Sequence, residues 1–208
     1  MAKDPKKIAA RLYPDMNKML EKEAAYYEAL GRFIGAFAEM ETAMALTFWR
    51  FARSPTEIAR AVFSGVRAKE AGDQCHRIME AIGVPAPDIA AFKVLTDQMG
   101  ALNKARNDIV HYGAAAIGSE SAYVTNALKA HVEKKVNEFP VSPEILAKMQ
   151  HDAVKITCHL EYEYLGRDWP KSPLGQMTLQ RVLQSPWLYK HQPRQPKRPE
   201  GKDKKPPA

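Results

Sequence analysis

The sequence predicts an all-α fold, an antiparallel helical bundle, and three observations lead there. Apolar residues recur at three- and four-residue steps over long stretches. Ser-Pro-acidic clusters and single glycines punctuate those stretches, as they do at helix starts and stops. β-Branched residues in loose alternation with polar ones are confined to one segment, residues 114–139. With 208 residues and 45% hydrophobic content, the chain can build one core with appendages.

Residues 1–13 are basic and predict a flexible N-terminus, and the helical body is expected over residues 14–166. Its first helical stretch starts at Asp15 among good helix formers and continues to Phe51. Leu30, Ile34, Phe37, Met44 and Phe48 fall on one face of it, and Glu41 falls on the same stripe. A carboxylate at a core position is costly unless paired, so Glu41 predicts either a shifted pKa or a facing cation. Ser54-Pro55-Thr56-Glu57 reads as a Ser-capped start to a short helix ending at Ser64-Gly65. A third helix over residues 66–82 is closed by Gly83. Pro87-Asp88 opens a long helix with Phe92, Leu95, Met99, Leu102 and Ile109 as its apolar ridge, stopping at Gly113.

Residues 114–139 predict a small β-hairpin or an extended insertion after the fourth long helix, with helix left open for part of it. Ser142-Pro143-Glu144 restarts a helix that runs to Gly166. Residues 167–189 form an extension expected to dock on the body through Trp169, Leu183 and Trp187. Residues 190–208 are proline-spaced and basic and predict a disordered tail.

The net charge of +7 is unevenly spread. From Pro186 onward seven Lys and Arg face only Glu200 and Asp203, leaving +2 for the rest of the chain. The high pI therefore describes the tail and does not by itself make the folded body a nucleic-acid binder. A charged N-terminus without an apolar run argues against a signal peptide. The most hydrophobic stretch, residues 33–51, carries Glu39, Glu41 and Arg50, so no membrane span and a cytoplasmic location are expected.

Two cysteines cannot make a disulfide framework. Each precedes a histidine, as Cys75-His76 and Cys158-His159, but adjacent helical side chains point about 100° apart and chelate poorly. No metal site and no cofactor are expected, since the sequence also lacks a Gly-rich phosphate loop and an H-E-x-x-H pair.

The chemistry concentrates in residues 102–113, "LNKARNDIVHYG". Arg106 sits on or beside the buried ridge of its helix, whereas Asn103, Asn107 and His111 step by four along a neighbouring polar ridge. Arg106 and His111 are then about 140° apart in azimuth and about 7.5 Å apart along the axis. One helix cannot aim both at a single point, so a groove between helices or between two subunits is needed to gather them. A ridge arginine cannot escape by deprotonating and demands an anion: Glu41 from within, or a phosphate from outside. His111 lies in the last turn, where the helix dipole favours the imidazolium. A fixed cation and a titratable base suit metal-free attack on a phosphodiester.

"RNDIVHYG" resembles the R-x(4–6)-H signature of the HEPN superfamily, in which a polar residue, often Asn, follows the Arg near the end of a long helix. The likeness extends over residues 28–166 at the level of helix order, with its specific part in the motif. It implies a homodimer of helical bundles and, in active members, a metal-independent endoribonuclease site shared between protomers, typically in toxin–antitoxin, antiviral or stress systems. Carried onto this chain, Arg106 holds the scissile phosphate of an RNA substrate and His111 acts as acid or base at the ribose 2′-hydroxyl. Asn107 is the polar residue after the Arg; Glu41, Asn103 and Tyr112 are supporting residues, and an antitoxin is an implied partner. Two other readings stand beside this one. The first is a non-catalytic interaction module that dimerises through residues 33–51 and the Arg106 helix; the second is general RNA attraction by the tail.

Overall fold

The structure, a computed structural model, describes residues 16–115, 117, 122–130, 132, 136 and 138–191. The flexible N-terminus expected at residues 1–13, and the tail from residue 192 on, lie outside the described residues. Helices dominate, in a bundle with a small sheet inserted after the fourth helix, as the sequence predicts.

Helix α1 runs unbroken over Met16–Phe51, 36 residues or about 54 Å. Its buried face centres on Phe33, Phe37, Met40 and Met44. That centre is rotated from the stripe predicted through Leu30 and Ile34, both of which are only half-buried. At about 100° per residue Glu41 lies roughly 70° from it, at the half-buried edge of the helix. α1 packs most extensively on α5 (Pro143–His159), then on α3 (Ala68–Ala81), which in turn packs on α4 (Ala86–Tyr112). Phe33, Phe37 and Phe48 therefore belong to the chain's own core.

Between α1 and α3 stands α2 (Thr56–Phe63). Its start differs from the expected Ser cap. Arg53 takes a left-handed φ of 50°, Pro55 occupies the capping position, and Ser54 Oγ turns back to the Ala52 carbonyl at 3.4 Å. The glycine stop of α3 forms as predicted. Gly83 has φ 73°, and the Gly83 and Val84 N–H groups donate to the Glu80 and Met79 carbonyls, as in a Schellman motif. Gly72 lets α3 approach α4 closely, since a Cβ there would lie 3.1 Å from Thr96 Cγ2.

The insertion is a three-stranded antiparallel sheet in the order β1 (Ala114–Ala115), β2 (Tyr123–Thr125), β3 (Glu138–Pro140). Val124 opposes both Ala114 and Phe139 and is buried, so the sheet seals the end of the bundle beside α4. Ser142 Oγ then caps α5 by accepting from Ile145 N–H at 3.4 Å. α5 passes into a π-helical turn, Leu160–Tyr164, and the chain leaves it at Gly166, φ 67°.

The extension docks with Trp187 packed against the core, as expected, while its buried anchors are Leu179 and Tyr189. It contains a helix, α6 (Pro173–Gln184), whose Leu179 is buried, followed by a strap, residues 185–191. Trp169 stays 44% exposed against the Tyr162 ring, and Trp187 is half-buried. The anchor is Asp152 of α5, wholly buried, which accepts from Leu188 N–H at 3.0 Å, Tyr189 N–H at 2.8 Å and Gln98 Nε2 at 2.7 Å. Beside it Lys155 donates to the Ser185 carbonyl and sits 4.3 Å from the Trp187 ring centroid. Lys190 and His191, assigned to the disordered tail on sequence grounds, are the end of this strap.

Each cysteine and its following histidine look to different neighbours. Cys75 is in the core, whereas His76 Nε2 lies 3.0 Å from Thr96 Oγ1. Burial pushes the Cys75 thiol up to about 12 and also raises that of half-buried Cys158. Because the thiolate is the reactive species, a thiol-reactive dye is expected to label Cys158 slowly and Cys75 not at all until denaturant is added, when both react. Rapid labelling of Cys75 in the native chain would contradict the packing described. Among the described residues no helix is long and apolar enough to cross a membrane.

Candidate functional site

The candidate site is the C-terminal end of α4. The helix stops at Gly113, whose φ of 71° is left-handed and whose N–H donates to the Ile109 carbonyl at 2.9 Å. Phe92, Leu95, Met99, Leu102, Ala105 and Ile109 form its buried ridge. Arg106 falls within the arc of that ridge and is half-buried. Its guanidinium carbon lies 5.6 Å from the Phe37 ring centroid of α1, a cation–π contact. Nη1 donates to Asn107 Oδ1 at 3.0 Å, so Asn107 orients the guanidinium it follows. Nε is buried without a hydrogen-bond partner.

The internal anion considered for Arg106 was Glu41, and no ion pair joins the two among the described residues. The rotation of α1 explains this: Glu41 stands at the edge of the helix, where its carboxylate does not need a cation to be tolerated. Nor does any other described carboxylate form an ion pair with Arg106. The guanidinium is thus held against an aromatic ring and an amide, and among the described residues no carboxylate pairs with it.

His111 lies on the other side of the helix, about 140° round from Arg106, and is exposed. Its carbonyl accepts from Lys129 Nζ at 3.1 Å, and the same ammonium lies 5.2 Å from the Tyr112 ring centroid. Lys129 comes from the turn after β2 and caps the carbonyl end of α4, where a cation also suits the helix dipole. Tyr112 is exposed, and Asn103 is half-buried on the polar ridge. Of the predicted site residues, the structure joins Arg106 to Asn107, supports His111 and Tyr112 through Lys129, and leaves Glu41 apart.

On the His111 side the structure collects residues that sequence reasoning missed. Asp108 is held above the usual carboxylate range by burial, while the charges of His191, Lys104 and His111 act in the opposite direction. Lys104, Asp108 and His111 follow one another at four- and three-residue steps, a polar face legible in principle from helix periodicity. His191 and Tyr189 arrive on the strap, from far along the sequence, and no local signal pointed to them. The Tyr189 hydroxyl lies 2.8 Å from His191 Nδ1, and the His191 ring stands edge-on to Phe139 of β3, 5.2 Å between centroids.

Two hollows are lined by described residues. One of about 420 Å³ between α3 and α4 is lined by Lys69, Asp73, His76, Lys93, Thr96 and Asp97, toward the opposite end of α4. The other, about 360 Å³, adjoins the strap at Tyr189. No protein-family model matches the chain, and neither a curated protein nor a solved structure does.

Chemically, the end of α4 offers on one side a permanent cation that pairs with no carboxylate among the described residues, and on the other an exposed imidazole one turn from the Asp108 carboxylate. The first suits an anion with oxygens for the guanidinium fork. The second suits proton transfer.

Proposed function

We propose that this chain is a metal-independent endoribonuclease of the HEPN type that cleaves RNA by attack of the 2′-hydroxyl, with its site completed across a homodimer. The observation that carries the reading is the half-buried guanidinium of Arg106, which pairs with no described carboxylate and whose Nε has no partner. A charge left in that state is destabilising unless an anion joins it, and the scissile phosphate supplies one. Exposed His111, on the same helix end, is the proton-transfer group. The azimuth between them is the argument for a second copy, since one helix does not aim both groups at one phosphate. A place in a toxin–antitoxin or defence system, with an antitoxin as partner, follows from the resemblance of the motif alone.

The test uses Arg106→Met, which keeps much of the side-chain volume and removes the charge. Wild type is expected to cut single-stranded RNA in EDTA, leaving 2′,3′-cyclic phosphate ends. Arg106→Met is expected to lose about 10²–10³-fold in rate, the usual effect of removing a donor to a developing oxyanion, without a fall in melting temperature. A structural ion-pair arginine behaves in the opposite way: its loss strands a buried carboxylate and lowers stability by about 3–5 kcal/mol. Unchanged cleavage, or no cleavage by wild type, would refute the proposal.

One observation favours the non-catalytic interaction module. The first turns of α1 expose Met16, Met19, Leu20 and Tyr27, at three-, four- and seven-residue steps along one face. A dimer that forms through this stripe without any RNA cleavage is the result expected of that reading.

A further inference from the structure

The endoribonuclease reading uses one histidine, yet in-line transfer to a 2′-hydroxyl involves two protons: one leaves the nucleophile and one joins the departing oxygen. The strap brings a second imidazole to the same end of α4. Asp152 fixes the strap by its backbone at Leu188 and Tyr189, and Gln98 Nε2 adds a bond to the Tyr189 carbonyl at 2.9 Å. From there Tyr189 reaches His191 Nδ1 with its hydroxyl, and Phe139 walls the ring on another side. The groups facing His191 are Tyr189 on its own strap, Lys104 and Asp108 on α4, and Phe139 on β3. The Asp108 carboxylate feels the charges of both His191 and His111. The step from Asp108 to His111 is three residues, about 4.5 Å of axial rise.

We infer that His191 is a second proton-transfer group for the same RNA phosphodiester, the base at the 2′-hydroxyl, with His111 the acid at the leaving oxygen; this rests on the endoribonuclease reading. Tyr189 is its positioning residue. With Nδ1 engaged by the hydroxyl, proton exchange falls to Nε2. Burial, reinforced by Lys104, lowers the proton affinity of the ring against the pull of Asp108, which keeps it in the form a base requires. The hollow of about 360 Å³ beside Tyr189 carries Lys148 and Lys190 on its walls, along with Phe139. It offers cations for neighbouring phosphates on the path of a single strand. In the step, His191 takes the 2′-hydroxyl proton as the P–O2′ bond forms. His111 gives a proton to O5′ as the P–O5′ bond breaks. The products are a 2′,3′-cyclic phosphate and a 5′-hydroxyl, with no change of oxidation state, and water resets the two rings.

The experiment is single-turnover cleavage of a single-stranded oligoribonucleotide in EDTA by the full chain, followed over pH. Wild type should show a rate that rises with pH on the acid side, with its midpoint below the ordinary histidine value. His191→Ala and the polar His191→Gln should both slow cleavage by about 10²-fold and abolish that acid-side limb, with melting curves like wild type. Tyr189→Phe, which keeps the ring and loses the hydroxyl, should shift the limb. Should both His191 variants cleave like wild type, or lose rate while keeping the same limb, the second-base role is overturned and the endoribonuclease reading stands. Should wild type not cleave at all, both fall together.

Discussion

His111→Ala is expected to reduce metal-independent RNA cleavage by about 10²–10⁴-fold, the usual contribution of a positioned acid or base, while leaving the helical circular dichroism and the melting temperature as in wild type. The second half of that expectation comes from the structure. His111 is exposed, so its ring buries little area whose loss would cost stability. The Lys129 cap on α4 uses the His111 backbone carbonyl, which the substitution keeps. Gly113 closes the helix through its own N–H and does not depend on the ring either. A loss of activity can therefore be read as chemistry and not as damage to the helix end. Equal cleavage by wild type and His111→Ala, in EDTA and at matched protein concentration, would remove His111 from the mechanism.

The parts of the fold that sequence made legible are those decided within a few residues. Ser142 caps α5 and Gly83 closes α3 because both depend on backbone geometry that Ser, Pro and Gly impose locally. Ser54 shows the limit of the same rule. Its neighbour Pro55 takes the capping position, and the left-handed turn at Arg53 sends the hydroxyl back to Ala52. Glu41 shows a second limit. Three- and four-residue steps along α1 fit two registers nearly equally well, and only packing against α3 and α5 chose the one centred on Phe33 and Met40. The angle between Arg106 and His111 was readable from helix geometry alone, because both lie on one rigid element. Asp108, Tyr189 and His191 were not, since their meeting depends on where the strap lies, and that is set by Asp152, 37 residues before Tyr189.

Asp152→Ala is expected to have the largest effect on stability, about 3–5 kcal/mol, or roughly 6–20 °C in melting temperature at the usual 2–4 °C per kcal/mol for a chain of this size. The carboxylate is wholly buried, and four groups converge on it: the N–H groups of Leu188 and Tyr189, the amide of Gln98 and the His151 ring, whose Nδ1 lies 3.1 Å from Oδ1. Alanine removes every acceptor at once and leaves each donor to be rehydrated or stranded. It also removes the Asp152 charge that favours the Lys155 ammonium, which burial already disfavours and which is supported by the Ser185 carbonyl and the Trp187 ring. The chain has one way to limit the loss, which is to release the strap and let water reach these groups. Asp152→Asn separates the two effects. It can keep one oxygen in the place of Oδ2, which accepts from the Leu188 and Tyr189 N–H groups and from Gln98, and sets its amide against His151 Nδ1 instead, so it should lose less stability than alanine and hold the strap in place. Protease cleavage near residue 187 should then be fast in Asp152→Ala and slow in Asp152→Asn, and an unfolding free energy for Asp152→Ala within about 1 kcal/mol of wild type would show that the strap is not held by this carboxylate. Because His191 travels with the strap, Asp152→Ala should also lose RNA cleavage, whereas Arg106→Met loses cleavage at full stability. Those two different routes to an inactive chain distinguish a group that holds the site in place from one that belongs to its chemistry.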